Sequence, residues 1–183
     1  MATEQEQYQV RFDWCRSGAA AVGGEADVIV WADAIETAGG GPDLADLPAG
    51  PAVVLADAPT ARAAAAWVAG LQLRLQRRIA IAVVAAGEVR ADGSRRYAVE
   101  DHLVAGAVIA ALGTFGIDAT SPEAAVADAA YRSLEGAVGH LVTASVTGRS
   151  ASLTPSMFRV DGDLGAAAAV VIRPHPGDSV SPA

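Results

Sequence analysis

The chain has 183 residues, of which 52% are apolar, and it carries a formal net charge of -8. This length is enough for one domain with a sizeable core, and the apolar content excludes disorder over most of the chain. The negative charge argues against nucleic acid or an anionic membrane surface as a partner, because both bind basic surfaces.

The first two predicted strands flank a short helix and lead to a carboxylate. Residues 8–14 (YQVRFDW) alternate in a way that is typical of a half-exposed strand. Ser17 can cap an alanine-rich helix that ends at the glycine pair 23–24. Residues 27–32 (DVIVWA) predict a buried strand that leads into Asp33. By position, Asp33 either faces a ligand at the carboxyl end of a central strand or caps the following segment.

A connector separates this unit from the third predicted strand. Residues 37–50 are rich in glycine and proline and lack apolar periodicity, so we interpret them as a flexible connector and not as a phosphate-binding loop. Residues 52–56 predict the strand, after which Asp57 or Thr60 can cap a helix that continues to residue 75. The apolar residues of this helix recur at a helical period and are Trp67, Val68, Leu71 and Leu75.

The central unit, residues 79–112, begins with an apolar run that is typical of a strand buried on both faces of a parallel sheet. Ligands collect at the carboxyl ends of such strands. Glu88 follows the strand, and Glu100 and Asp101 open the next helix. Three carboxylates in one strand–loop–helix unit suit magnesium, which prefers oxygen ligands. Acidic residues in a first helical turn are also favoured by the helix dipole alone, so both interpretations stay open.

The next predicted helix has a strong start. Ser121 can cap it, and Pro122 suits the first helical position. The pattern predicts one helix over residues 123–141. Its predicted core face consists of Val126, Ala130 and Leu134.

The remaining residues predict a loop, a strand and a tail. Residues 143–154 are rich in serine and threonine, and Arg149 in this loop can either clamp a phosphate or lie in solvent. Residues 161–163 predict an acidic turn, and residues 168–174 (AAVVIRP) predict a last strand. We expect residues 1–176 to form a single domain and residues 177–183 to be disordered.

Strands alternate with helices along the whole chain. This alternation predicts an α/β fold, a three-layer sandwich around a mostly parallel or mixed central sheet.

Three stretches carry a more specific pattern. The first joins YQVRFDWCRSGAAAV to ADVIVWADAI, the second is IAVVAAGEVRADGSRRYAVEDHLVAGAVIAALG, and the third joins SVTGRSASL to DGDLGAAA. Together they resemble the 2-phosphosulfolactate phosphatase family and its actinobacterial relatives. The second stretch is the most specific, because a glycine–glutamate pair, a DGS turn, an arginine and a glutamate–aspartate pair follow in the family's order.

The resemblance implies the family's own α/β fold and magnesium-dependent hydrolysis of a small phosphomonoester. The metal ligands that it implies are Asp33, Glu88, Glu100 and Asp101. The catalytic residues that it implies are Asp33, Glu88, Arg96 and Arg149. Asp33 would act as nucleophile or base, and an arginine would hold the phosphate.

The chain also departs from the family's pattern. Residues 34–37 (AIET) follow Asp33 where the family has an arginine or serine and threonines, and the family's asparagine–glycine loop is missing. The segment between Asp33 and Trp67 is shorter than in the family. The second hypothesis is therefore a shortened, partly degenerate member that lacks catalysis and acts as a binding or oligomer-forming protein.

The expected partner is a small phosphorylated metabolite, and the alanine-rich composition suggests a homodimer. The first ten residues lack a basic segment followed by an apolar core, and no apolar run reaches about 18 residues, so we expect a cytoplasmic protein. The single cysteine, Cys15, excludes an internal disulfide, fits a reducing compartment and is expected to be a buried thiol. The preference for arginine over lysine suggests a bacterial source.

Overall fold

The computed structural model describes residues 4–35, 41–90, 92–151, 153–158 and 167–178. The strands are β1 (Val10–Trp14), β2 (Val28–Ala32), β3 (Ala52–Ala56), β4 (Ile81–Ala85), β5 (Glu88–Val89), β6 (Arg95–Arg96) and β7 (Val170–Arg173). The α-helices are α1 (Cys15–Gly23), α2 (Ala61–Leu75), α3 (Val99–Thr114), α4 (Pro122–Leu134), α5 (Val138–Ala144) and α6 (Val146–Ser150).

Five strands form a mixed sheet in the order β1-β4-β2-β3-β7. The first four are parallel, and β7 pairs antiparallel with β3. Every residue of β2 and of β4 is buried, which confirms the prediction that these apolar runs form strands covered on both faces. The predicted strand over residues 168–174 is likewise confirmed in β7.

Helices cover both faces of this sheet. On one face, α2, α3 and α4 contribute to the larger apolar cluster, which includes Val68, Leu71 and Val108. On the other face, α1 packs with Val22 in a smaller cluster that also contains Leu47. The fold is therefore α/β with a five-stranded mixed sheet, an arrangement compatible with a three-layer sandwich.

The segments that follow the parallel strands pack on both faces of the sheet. Ala34 and Ile35, just after β2, pack with the cluster of α2, α3 and α4, whereas Leu44 and Leu47 pack with the cluster of α1. After β3 and β4 the chain enters α2 and α3. Ligands of open α/β sheets bind at the carboxyl edge of the strands, and Asp33, which follows β2 directly, lies at this edge.

The predicted core face of α4 is wrong. Val126 is 64% exposed and Leu134 is 39% exposed. The helix instead lies close over α3 at Gly106, where an added Cβ would overlap the carbonyl oxygen of Ala127. Such a close approach of backbones admits mainly small side chains at the contact. The buried residues of α4 are Ala124, Ala127 and Tyr131.

Of the two serine caps predicted for helix starts, one is observed. Ser121 caps α4, because its Oγ accepts a hydrogen bond from the N–H of Ala124 at 3.1 Å. The prediction for Ser17 is wrong, since α1 begins at Cys15 and includes Ser17. A further difference is that the single helix predicted over residues 123–141 is interrupted by a 3-10 turn, Glu135–Ala137.

The last segments also differ from expectation. Residues 143–154, predicted as a loop, contain the end of α5 and all of α6. The acidic turn predicted at residues 161–163 lies outside the described residues. Gly177 and Asp178, predicted to open a disordered tail, belong to a 3-10 helix, and Asp178 accepts a hydrogen bond from Arg74 at 3.0 Å. The rest of that tail also lies outside the described residues.

Candidate functional site

All four predicted metal ligands line one cavity at the carboxyl edge of the sheet, which we call the carboxylate cavity. Its volume is about 350 Å³. The residues that line it are Asp33, Ile35, Gly87, Glu88, Ala98, Glu100, Asp101 and Thr147. Because β2 and β4 are neighbouring parallel strands, the residues that follow them emerge at the same edge. The first turn of α3 then adds two more carboxylates to that edge.

Asp101 joins the ends of the two central strands. Its side chain is buried, with one oxygen accepting a hydrogen bond from the N–H of Ala34 and the other from the N–H of Gly87, each at 2.9 Å. Burial raises the pKa of Asp101 to about 7; the charges of Asp33 and Glu100 add to this rise and the two N–H donors oppose it. Asp101 therefore fixes the loops that present Asp33 and Glu88.

Glu100 is the most deeply buried carboxylate of the cavity, with 1% of its surface exposed. Its Oε1 lies 3.4 Å from Nη2 of Arg96, and its Oε2 has no hydrogen-bond partner within the described part of the chain. Such an oxygen has lost its hydrogen bonds to water without replacing them. This destabilises the folded chain by an amount on the order of several kcal/mol. A cation or a ligand hydrogen-bond donor in the cavity would satisfy this oxygen.

Arg96 lies beside the cavity and connects three of its residues. Its guanidinium donates to Oε2 of Glu88, with Nε at 2.7 Å, and to the hydroxyl of Thr147 at 2.9 Å. It is also paired with Glu100 at 3.4 Å. This arginine thus compensates part of the negative charge that Glu88 and Glu100 bring to the cavity.

Arg96 and Glu88 face each other across a β-hairpin, which was not predicted. The two residues are register partners in the antiparallel pair of β5 and β6. The DGS turn between these strands is present, since Asp92 accepts hydrogen bonds from the N–H and hydroxyl of Ser94 and Gly93 has a φ of +79°. An Asp–Gly turn flanked by short polar strands was the available signal for this hairpin.

Arg149 is not among the residues that line the carboxylate cavity. It lies in the last turn of α6, and its side chain is exposed. Thr147 of the same helix lines the cavity instead. The hydroxyl of Ser145 caps this helix by accepting from the N–H of Gly148 at 3.0 Å. Sequence reasoning missed Thr147, because a threonine in a serine- and threonine-rich stretch carries no distinctive signal.

Within the described residues, no group of three or more His, Cys, Asp or Glu side chains is arranged to hold a metal ion. Magnesium, however, is commonly held by one or two carboxylates together with water and substrate phosphate.

Searches of protein-family models, curated proteins and solved structures find no match to this chain. In the part of the chain that the structure describes, no helix combines the length and apolar character that crossing a membrane requires.

Proposed function

We propose that this protein is a magnesium-dependent phosphatase that hydrolyses a small phosphomonoester, with a fold and activity of the 2-phosphosulfolactate phosphatase type. One observation carries the proposal most directly. Glu100 is buried with an unpartnered carboxylate oxygen in a cavity that it shares with Asp33 and Glu88. Carboxylate oxygens are preferred ligands of hard divalent cations such as magnesium.

The carboxylate cavity fits magnesium when the ion is held by few protein ligands. Asp101 is engaged on both oxygens by backbone N–H groups, and Glu88 is paired with Arg96. We propose that Glu100 and Asp33 hold the ion, because Oε2 of Glu100 has no hydrogen-bond partner within the described residues and Asp33 lines the same cavity at the carboxyl end of β2. Bound magnesium would neutralise negative charge on the phosphoryl oxygens of the substrate.

The remaining roles follow from the contacts of each side chain. Asp33, at the carboxyl end of β2, is the proposed nucleophile or base. Asp101 is a positioning residue, because it holds the backbone on either side of the cavity. Arg96 positions Glu88 and Glu100, and its paired state disfavours a primary role in clamping phosphate. Arg149 has no role in the proposed reaction, since it lies outside the cavity.

A second candidate function is supported by the contacts of Arg96. Its guanidinium compensates Glu88 and Glu100 and also binds Thr147, so it connects the hairpin to α3 and α6. Networks of this kind serve structural purposes in many proteins. In this alternative the chain is a catalytically inactive family member that acts as a binding or oligomer-forming protein.

Phosphate release distinguishes the two functions. The native chain, Asp33→Asn and Glu100→Gln are assayed on a panel of small phosphomonoesters, including 2-phosphosulfolactate, with and without magnesium. The matched control is Glu123→Gln, because Glu123 occupies the first turn of α4 as Glu100 does that of α3, but is exposed. The phosphatase proposal predicts magnesium-dependent release by the native and control chains and loss of at least about 100-fold in the other two. Absence of release from folded native protein would favour the inactive alternative.

A further inference from the structure

A further cavity lies at the amino edge of the sheet, and we call it the amino-edge cavity. Its volume is about 250 Å³, and it is lined by residues 6–9, Arg11 and residues 78–80. Residues 6–9 precede β1 and residues 78–80 precede β4, and these neighbouring strands are parallel, so both segments lie at the same edge. At about 3.3 Å per residue, β4 separates this edge from the carboxylate cavity by roughly 15 Å. The two cavities are therefore distinct.

Arg11 brings a buried cation to the amino-edge cavity. Only 4% of its surface is exposed. Its guanidinium donates to the backbone carbonyl oxygens of Tyr8, Val22 and Glu6 at 3.2, 3.3 and 3.1 Å. A guanidinium has five N–H groups, so these three bonds leave two of them for another acceptor. The three carbonyl oxygens also fix the orientation of the group, because they bind three different nitrogens.

Arg78 lines the same cavity and is held by Gln9. Its side chain is exposed, and its Nε donates to Oε1 of Gln9 at 3.1 Å. Gln9 is 9% exposed, and its Nε2 donates in turn to Oε1 of Gln72 at 2.6 Å. Because this chain of amides holds Nε, the two terminal nitrogens of Arg78 are left for a ligand. The planar fork of a guanidinium matches the oxygens of a phosphate or a carboxylate.

Both arginines bind neutral groups and not carboxylates. No ion pair of the described residues includes Arg11 or Arg78. Burial lowers the pKa of Arg11, and the charges of Glu25, Glu6 and Asp27 oppose this shift from beyond ion-pair distance. A bound anion would stabilise a buried cation of this kind directly. Five other described arginines do pair with carboxylates, namely Arg16, Arg74, Arg77, Arg96 and Arg132.

We propose that the amino-edge cavity binds a small phosphate-bearing anion. Two guanidinium groups suit a phosphate monoester, which carries close to two negative charges near neutral pH, better than a carboxylate with one. At about 30 Å³ for each water-sized group, the cavity has room for roughly eight non-hydrogen atoms, enough for inorganic phosphate or the phosphate ester of a small molecule. This inference is independent of the proposed phosphatase function, because it concerns the other edge of the sheet and needs neither magnesium nor hydrolysis.

Inorganic phosphate is the probe for the test. Nuclear magnetic resonance follows the backbone amide signals of the full chain without magnesium, at an ionic strength held constant with sodium chloride. We expect saturable shifts at residues 6–9 and 78–80, with a dissociation constant on the order of 1 mM and at least about fivefold weaker binding of acetate. Shifts that do not saturate, or that occur at Glu88 and Glu100 instead, would overturn the inference, as would equal affinity for acetate.

Arg78→Gln is the informative variant, because Arg78 is exposed and its replacement leaves the core unchanged. Its affinity for phosphate is expected to fall about tenfold. The matched control is Arg132→Gln, which changes the net charge equally at an exposed arginine that pairs with Asp128 and does not line the cavity. The control is expected to keep the native affinity within about twofold. Equal losses in the two variants would overturn the inference, because they would reduce the effect to net charge.

Glu6→Gln tests the same site through a gain in affinity, which partial unfolding does not produce. Glu6 lines the cavity with an exposed side chain, and it binds Arg11 through its backbone carbonyl oxygen. Removing its negative charge is expected to tighten phosphate binding about threefold. Glu123→Gln, an exposed glutamate of α4 that does not line the cavity, is expected to leave the affinity unchanged. Equal affinities in Glu6→Gln and Glu123→Gln would contradict the placement of the anion beside Arg11.

Discussion

Replacing Gly87 with alanine tests how the end of β4 sets the position of Glu88. Gly87 has a φ of +65°, in the left-handed region. A Cβ built on it would lie 2.9 Å from Sγ of Cys15 and 3.0 Å from the carbonyl oxygen of Arg96. The substitution therefore introduces both backbone strain and crowding next to the carboxylate cavity.

Gly116 separates these two effects. It has a φ of +76°, but a Cβ built there meets no atom within 4 Å. Gly116→Ala is therefore expected to lower the free energy of unfolding by about 1–2 kcal/mol through strain alone. Crowding adds about 1–3 kcal/mol at Gly87, so that Gly87→Ala should lose about 2–5 kcal/mol in total. Removing the sulfur with Cys15→Ala should recover about 1 kcal/mol of this loss. The recovery is only partial, because the contact with the carbonyl oxygen of Arg96 remains.

The free energy of unfolding is measured by urea unfolding, followed by circular dichroism at one fixed pH. The four variants are Gly87→Ala, Gly116→Ala, Cys15→Ala and the double variant of Cys15→Ala with Gly87→Ala. The expected result is a larger loss at Gly87 than at Gly116 and a favourable coupling between Gly87→Ala and Cys15→Ala. Equal losses at the two glycines, together with no coupling, would refute the argument that these contacts fix the end of β4.

Three further predictions concern packing and charge around the same site. Gly106→Ala should lower the free energy of unfolding by about 2 kcal/mol or more, because its Cβ would overlap the backbone of α4. Gly113→Ala should raise it by up to about 1 kcal/mol, because alanine favours the helix and the nearest contact of its Cβ is at 3.8 Å. Equal effects in urea unfolding would contradict the close approach of the two helices. Burial and neighbouring carboxylates raise the pKa of Asp101 from 3.8 to about 7. Between these two values the folded chain keeps a proton that the unfolded chain releases, so the free energy of unfolding falls as pH rises through that interval. Asp101→Asn should flatten this fall in urea unfolding between about pH 4 and 7, and an unchanged pH dependence would contradict the assignment. Arg96→Met should lower the free energy of unfolding by about 3 kcal/mol, because it leaves a buried glutamate without its partner, and a loss below about 1 kcal/mol would show that the pair contributes little.

The parallel core of the sheet could be predicted from the sequence. Residues 28–32, 52–56 and 81–85 are apolar runs, and a strand buried on both faces requires little more than such a run. The same information places Asp33 and Glu88 at the carboxyl edge of the sheet, because parallel strands end at one edge. The pairing of β2 with β4, which brings the two residues into one cavity, could not be predicted from these runs.

Contacts between distant segments could not be predicted in this way. The burial of α4 is set by its close approach to Gly106, and apolar periodicity alone favours the larger side chains that are in fact exposed. The short helix α6 depends on a cap by Ser145, in a stretch whose composition indicates a loop. Its position decides that Thr147 and not Arg149 reaches the cavity.

The central claim is that Glu100 and its neighbours bind a divalent cation, and magnesium titration by calorimetry tests it most directly. The native chain and Glu123→Gln are expected to bind one magnesium ion, while Glu100→Gln is expected to lose this binding although it folds. Glu123→Gln controls for the interaction between a first-turn glutamate and the helix dipole. Binding that survives in Glu100→Gln, or absence of binding by folded native protein, would contradict the account.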